Sequence, residues 1–265
     1  MKIVVCVKQV IDPEAPPSSF TIDPAAKTAQ MRGANPVIDP FAEYAVEAAL
    51  KIKDAGDASI SILSLGENLQ RDVVKKPLAM GADELILLED PAFSGGDTKA
   101  NATALAAAIK KIGDVDLILC GREASDTNAG QTGPAIAMLL GLPCITIARK
   151  IEVNGALAKI ERATSEGYDI VETSLPAVVT VSNEVGEARY PTIKGIMGAK
   201  KKQPVVWTPA DLGLDATAVG VSGSRVVLEK LYEPVFEGTC ELVEGETPEE
   251  TGVLLAAKLR EAKIL

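Results

Sequence analysis

The residues of this chain best suited to chemistry lie between Asp116 and Gly133, in the stretch D-L-I-L-C-G-R-E-A-S-D-T-N-A-G-Q-T-G. Small and polar side chains crowd its second half: Ser125, Asp126, Thr127, Asn128, Gly130, Gln131 and Thr132. No nucleophile stands beside a base, so acid–base work is not what such a set does well. Backbone N–H groups, glycines and the positive end of a following helix dipole instead suit phosphate or a nucleotide. Most strand-to-helix connections run about 2–6 residues, and this longer one leans towards function over a plain surface loop.

The elements that must position this loop can be read on either side of it. Asp116 to Cys120 is a short apolar run that predicts a buried strand, ended by Gly121. P-A-I-A-M-L-L predicts a helix with Pro134 in its first turn, where a missing N–H does no harm. Lys2 to Val10 reads as a central first strand, Ala58 to Leu65 as the second and Leu85 to Leu88 as the third. Between them the pattern predicts a helix from Asp39-Pro40 to about Lys53, one over Leu69 to Met80 that Pro77 should kink, and one over Lys99 to Ile112. A second polar loop, Ser94-Gly95-Gly96-Asp97-Thr98, leads into the last of these. Strand and helix in alternation predict a doubly wound parallel sheet. Ligands of such sheets sit outside the carboxyl ends of the strands, which here means Cys6 to Gln9, Ser64 to Gly66, Ser94 to Thr98 and Gly121 to Thr132.

Composition narrows the function. The chain has no histidine, which removes Ser-His-Asp and Cys-His catalysis and most zinc sites together. A net charge of -10 argues against a nucleic-acid partner. Cys6, Cys120, Cys144 and Cys240 form no metal pair or redox motif and suit a reduced, cytoplasmic protein. No apolar run is long enough for membrane insertion, and M-K-I-V-V-C-V-K reads as a strand and not a signal peptide. Aromatics make up only 3% of residues, so Ala, Val, Ile and Leu must fill the core, as in helix-covered parallel sheets.

The long segment Ile11 to Asp39 contains a hairpin signal in T-I-D-P-A-A-K-T-A-Q-M-R. After Ile151 the pattern changes. Asn154-Gly155 marks a second hairpin, and Tyr168 to Glu172 and Ala177 to Val181 read as strands. E-A-R-Y-P-T-I-K-G-I-M-G-A-K-K-K reads on charge alone as a solvated basic turn, although Ile193, Ile196 and Met197 among its charges raise a docking role. From Trp207 the chain is irregular, with a short helix near Thr247 to Ala262 that needs a surface to lie against.

Taken in order, C-V-K-Q-V, D-P-F-A-E-Y-A-V-E-A-A-L, A-M-G-A-D, the Gly121 loop, L-P-A-V-V-T-V and R-Y-P-T-I-K-G-I-M-G-A-K-K-K resemble the beta (small) subunit of electron-transfer flavoproteins, along nearly the whole chain. The resemblance implies a sheet of the adenine-nucleotide alpha-hydrolase type with a hairpin addition and an extended C-terminal arm. Residues 1–205 would form the nucleotide-binding domain, including a recognition loop at 184–202, and 206–265 an arm embracing an alpha subunit. The alpha subunit would carry the electron-transferring FAD, and this subunit a second nucleotide: FAD, as in the electron-bifurcating branch, or alternatively AMP. The G-G-D-T loop resembles the FAD-binding branch, with Gly95 and Gly96 expected to leave room for the longer ligand.

The nucleotide site so implied comprises Cys6, Val7, Lys8, Asp39, Leu65, Gly66, Cys120, Gly121, Arg122, Glu123, Ala124, Ser125, Asp126, Thr127, Asn128, Ala129, Gly130, Gln131 and Thr132. Asp97, Thr98 and Asn101 join it from the second polar loop. Arg189, Tyr190, Pro191, Thr192, Ile193 and Met197 would dock acyl-CoA dehydrogenase-type flavoenzymes, and a quinone oxidoreductase or ferredoxin could accept the electrons. Three departures stand out: Asp39 where the family usually has Asn, the S-D-T-N-A-G-Q-T-G loop, which matches neither branch closely, and Ala163 where the AMP-binding branch has a glutamate. The competing readings are a nucleotide-binding sensor of the same fold, which leaves the basic tract and the arm unexplained, and an ATP-dependent ligating enzyme, for which V-K-Q-V-I-D-P lacks a glycine-serine phosphate loop.

Overall fold

The computed structural model describes residues 1–33, 35–234, 238 and 240–265. Thus positions 235–237 and 239 of the expected arm lie outside the described residues. The chain opens with β1 (Lys2–Val7), whose residues Ile3, Val4 and Val5 are fully buried, as a strand covered on both faces requires. β2 (Gln9–Ile11) pairs antiparallel with β5 (Pro36–Ile38), and between them the expected hairpin forms from β3 (Phe20–Asp23) and β4 (Thr28–Met31).

α1 (Pro40–Ala55) starts at the expected Asp39-Pro40 pair and leads to β6 (Ser59–Gly66). The helix expected over Leu69 to Met80 is broken at Lys75 into α2 (Arg71–Val74) and α3 (Lys76–Met80). Pro77 lacks an N–H and is tolerated in a first turn, so it sits at the start of α3 and not inside one long helix. There follow β7 (Glu84–Glu89), α4 (Thr98–Ile112), β8 (Leu117–Gly121) and α5 (Thr132–Leu140).

The later strands are β9 (Cys144–Asn154), β10 (Leu157–Thr164), β11 (Gly167–Ser174) and β12 (Ala177–Val181). α6 (Ile193–Lys201), β13 (Val205–Trp207), α7 (Gly220–Gly223) and α8 (Pro248–Glu261) complete the chain. The basic tract is therefore helical from Ile193, not a turn.

One sheet carries the fold, in the order β11-β10-β9-β12-β8-β1-β6-β7-β13. It is parallel from β9 through β13, and the hairpin β10–β11 extends it in antiparallel fashion. Each face has its own core. Ala45, Ala49 and Leu50 of α1 join Leu78 of α3 and Ala199 of α6 against Ile3, Val5, Ile60 and Ile62. On the other face, Ala102, Ala104, Leu105 and Ala108 of α4 and Ile136 of α5 meet Val4, Leu63, Leu88 and Ile118. Alanines on α1 and α4 let both helices lie close to the sheet. Each fully buried Ile or Leu contributes about 1.5–3 kcal/mol.

The strand order decides where a ligand can go. From β1 the chain steps outward to β6 and β7, then crosses back to place β8 on the other side of β1. Order reverses between β1 and β8, and crevices open at such points beyond the strands' carboxyl ends.

Candidate functional site

A cleft of about 930 Å³ opens at that reversal. Cys6, Val7 and Lys8 reach it from the end of β1, Leu65 from β6, and Cys120 and Gly121 from β8. Asp39 lines it from the start of α1, and Asp97, Thr98 and Asn101 from the start of α4. Arg122, Glu123, Ala124, Thr127, Ala129, Gly130, Gln131 and Thr132 line it from the long loop. The four other marked residues, Gly66, Ser125, Asp126 and Asn128, do not face it. Gly96, expected to leave room for the ligand, also faces it, as do residues that the sequence did not mark: Lys99, Leu105, Gly133, Ala135, Met138, Leu139, Arg225 and Val226. Most of these are the next turn of a marked helix, but Arg225 and Val226 arrive from far along the chain, where no local pattern announces them.

Asp39 holds the long loop in place. Its Oδ1 caps α1 by accepting from the Phe41 and Ala42 amides at 2.9 and 3.3 Å, and its Oδ2 accepts from the Ser125 amide at 2.6 Å. The carboxylate is 1% exposed and faces three N–H donors, which together compensate a charge that burial alone would penalise. An Asn at this position would bring one acceptor oxygen in place of two. Beyond Ser125 the chain turns back through Thr127 and Asn128, both donating to the Ala124 carbonyl, with Asn128 in the left-handed region at φ 47°. Lys8 ties the turn to β1 through Asp126, 2.6 Å away.

Two glycines bring strand and helices together. A Cβ on Gly121 would lie 2.7 Å from the Phe41 carbonyl carbon and 2.9 Å from the Ala42 nitrogen, so β8 can end here only without a side chain. A Cβ on Gly133 would lie 2.5 Å from Cγ2 of Thr180, so α5 sits directly on β12. The start of α5 has no side-chain cap, leaving first-turn N–H groups for a ligand. The Ser125 hydroxyl is buried and has no hydrogen-bond partner among the described residues.

The thiols of Cys6 and Cys120 are neighbours across the β1–β8 pair. Hydrogen bonding to Cys6 and then full burial push the Cys120 thiol well above its ordinary value, so it stays protonated and is no nucleophile.

The second polar loop departs from expectation. Gly95 and Gly96 leave their space to the chain itself: a Cβ on Gly95 would meet Val221 at 2.7 Å, and one on Gly96 would meet Asn101 at 2.6 Å and Gly220 at 3.3 Å. The physical reason is that α7 packs onto this loop, and a glycine's open space does not say what fills it. Asp97 caps α4 by accepting from the Ala100 amide at 2.8 Å with Oδ1, and accepts from Arg225 and Val226 amides at 2.6 and 2.9 Å with Oδ2. Burial pulls its carboxyl upward, and the hydrogen bonds from Ala100, Arg225, Val226 and Lys99 outweigh it to leave the group below the usual 3.8.

The docking residues lie elsewhere, around α6. Tyr190, Ile193 and Met197 are 92, 80 and 60% exposed. Thr192 caps the helix by accepting from the Gly195 amide at 3.0 Å, and Pro191 precedes it half-buried. Arg189 points inward instead. Its guanidinium pairs with buried Glu47 at 2.8 Å and with Asp54 at 2.7 Å, which raise its pKa further.

Comparison with known proteins agrees with this geometry. The model of the electron transfer flavoprotein domain family matches residues 28–212. Electron transfer flavoprotein subunit beta of Megasphaera elsdenii is 40% identical over 241 residues, 88% of each chain. Caffeyl-CoA reductase-Etf complex subunit CarD of Acetobacterium woodii is 35% identical over the full length of both chains, and the subunit beta of Clostridium acetobutylicum is 36% identical over 98% of each.

Proposed function

This chain belongs to the electron transfer flavoprotein family as a beta subunit, and on that premise we propose that its cleft holds an adenine nucleotide while its C-terminal segment grips an alpha subunit. Electron transfer is the function of the family. The observation that carries the nucleotide reading is the cleft at the strand-order reversal, whose lining takes in most of the residues marked from sequence.

The chain's residues fit such a ligand. Uncapped N–H groups at the start of α5 suit one phosphate, and Leu65, Leu105 and Ala135 offer apolar wall. Ligand pockets commonly measure about 300–1,000 Å³, and a cleft of about 930 Å³ has room for FAD as well as for AMP; the resemblance of the G-G-D-T loop to the FAD-binding branch favours FAD. A bound flavin accepts and returns electrons. The chain's own part is to orient it and to keep water from it.

The partner reading rests on apolar side chains left in the open. Val227, Leu228, Tyr232, Leu242, Leu254 and Leu255 are exposed along the C-terminal segment, and an alpha subunit would cover them. Around α6, Tyr190, Ile193 and Met197 form the face for a flavoenzyme. A CoA-linked one is favoured, since a full-length relative is named as part of a caffeyl-CoA reductase complex. Acceptors such as a quinone oxidoreductase or ferredoxin would meet the same complex. Four free cysteines suit a reducing compartment such as the cytoplasm.

Co-expression with the alpha subunit tests the reading. The two chains should purify together with flavin absorbance, and an acyl-CoA dehydrogenase with its substrate should bleach that absorbance. A beta chain that purifies alone and colourless from such cells would overturn it.

A further inference from the structure

Four cations line the cleft, and three of them are engaged. Lys8 pairs with Asp126, Arg122 pairs with Glu123 at 2.8 Å, and Lys99 donates to the Gly223 carbonyl at 3.1 Å. The guanidinium of Arg225 has no carboxylate partner among the described residues.

Its backbone is the opposite of free. Asp97 Oδ2 accepts from the Arg225 and Val226 amides, the Asp97 amide donates to Ser224 Oγ at 2.9 Å, and Ser224 Oγ donates to the Gly220 carbonyl at 2.8 Å. The Val221 amide donates to the Ser94 carbonyl at 3.1 Å. Gly220, at φ 56°, passes so close to Ala92 that a Cβ would lie 2.1 Å from its carbonyl oxygen. A clamped main chain carrying an uncommitted guanidinium at a cleft is an arrangement for presenting a cation to a ligand. A surface arginine with no such duty would not need this many backbone ties.

We infer that Arg225 binds a phosphate of a dinucleotide in the cleft, and that Asp97 is a positioning residue that holds Arg225 there. The inference rests on the nucleotide reading above. It adds a second cationic contact, on a different element from the α5 start, available to the second phosphate of a dinucleotide. It also removes a difficulty: the Asp97 carboxylate is turned to three amide donors, so a phosphate nearby meets the guanidinium and not a bare anion.

The test titrates FAD and AMP into the nucleotide-stripped complex with its alpha subunit, in wild type, Arg225→Gln, Arg225→Lys, Asp97→Asn and the Asp97→Asn/Arg225→Gln double variant. Arg225→Gln should weaken FAD about tenfold or more, several times more than it weakens AMP, and Arg225→Lys should recover part of the loss. Asp97→Asn should show the same selective loss, and the double variant should be no worse than Arg225→Gln alone, because both changes remove one contact. Additive losses would overturn the positioning role, since a merely structural Asp97 would act independently. FAD binding that is indifferent to Arg225, or equal losses for both nucleotides, would overturn the role of Arg225 alone. A wild-type complex that takes up neither nucleotide would overturn the reading beneath it.

Discussion

Gly121 is the position in the cleft where one methyl group has nowhere to go. Its hypothetical Cβ would strike main-chain atoms of Phe41 and Ala42, which cannot swing aside as the end of a flexible side chain can. Gly121→Ala should therefore destabilise the chain by about 1–3 kcal/mol, read as a lower urea midpoint, and an unchanged midpoint would contradict the close approach. Asp97 makes a pH-dependent claim. Its carboxyl is held below 3.8 in the folded chain, so its contribution is present above pH 3.8 and is lost as pH falls through the lowered value. The amide NMR signals of Arg225 and Val226 should shift in that acid range, and Asp97→Asn should abolish the shift. If the signals move instead near neutrality, the clamp is not what is titrating. Single residues were legible to differing degrees. Asp39 can be read as a cap from Asp-Pro at a helix start, yet its third hydrogen bond, from Ser125, spans a separation no local pattern reaches. What fills the space at Gly95 is not legible, because its partner, Val221, lies more than a hundred residues on.

Among the elements, α6 is one that local sequence hides. Gly195, Gly198 and a run of lysines weaken any helical signal, and what secures the helix is tertiary. Gly195 crosses α3 so closely that a Cβ would lie 2.2 Å from the Ala79 carbonyl oxygen, and Arg189 anchors the approach through Glu47 and Asp54. Anchor and docking face are thus separate residues and should fail differently. Ile193→Ala should slow electron exchange with a dehydrogenase by about tenfold or more and leave the urea midpoint in place. Arg189→Ala leaves the 4% exposed Glu47 with the residue-189 amide but without its cation and should cost about 3 kcal/mol of stability. Stopped-flow flavin reduction paired with urea melts separates the two, and a kinetic defect without a stability loss in Arg189→Ala would place Arg189 on the docking face after all. The covered strands β6, β7, β8 and β12, by contrast, can be read within a residue or two, since a fully covered parallel strand leaves an unbroken apolar run. The run Lys2 to Val10 reads as one strand but divides into β1 and β2, the latter pairing with β5 outside the main sheet, and β13 is not announced. Pro77 shows the limit of such reading: it announces a break, but the chain chooses Lys75 as the place.

At the scale of the molecule, the sheet order makes the cleft, and the C-terminal third finishes it. Sequence suggested an arm beginning after residue 205, because irregular polar sequence carries no period. Val205–Trp207 instead pairs with β7, Lys111 lies 4.8 Å above the Trp207 ring, and the chain stays on the α4 face through Val226. Truncation after Val226 should consequently leave fold and nucleotide affinity intact and abolish co-purification with the alpha subunit. Truncation before Trp207 should also lower the thermal midpoint, because it strips Trp207, Leu212, Leu214 and Val219 from the core on that face. Equal alpha-subunit binding by the chain ending at Val226 would show that the exposed apolar residues beyond it serve another end. The central claim is that this subunit's cleft holds a dinucleotide, and counting cofactor in the purified heterodimer tests it most directly. After FAD supplementation and removal of free ligand, the account predicts two flavins per heterodimer and no stoichiometric AMP. One flavin with one AMP would contradict it.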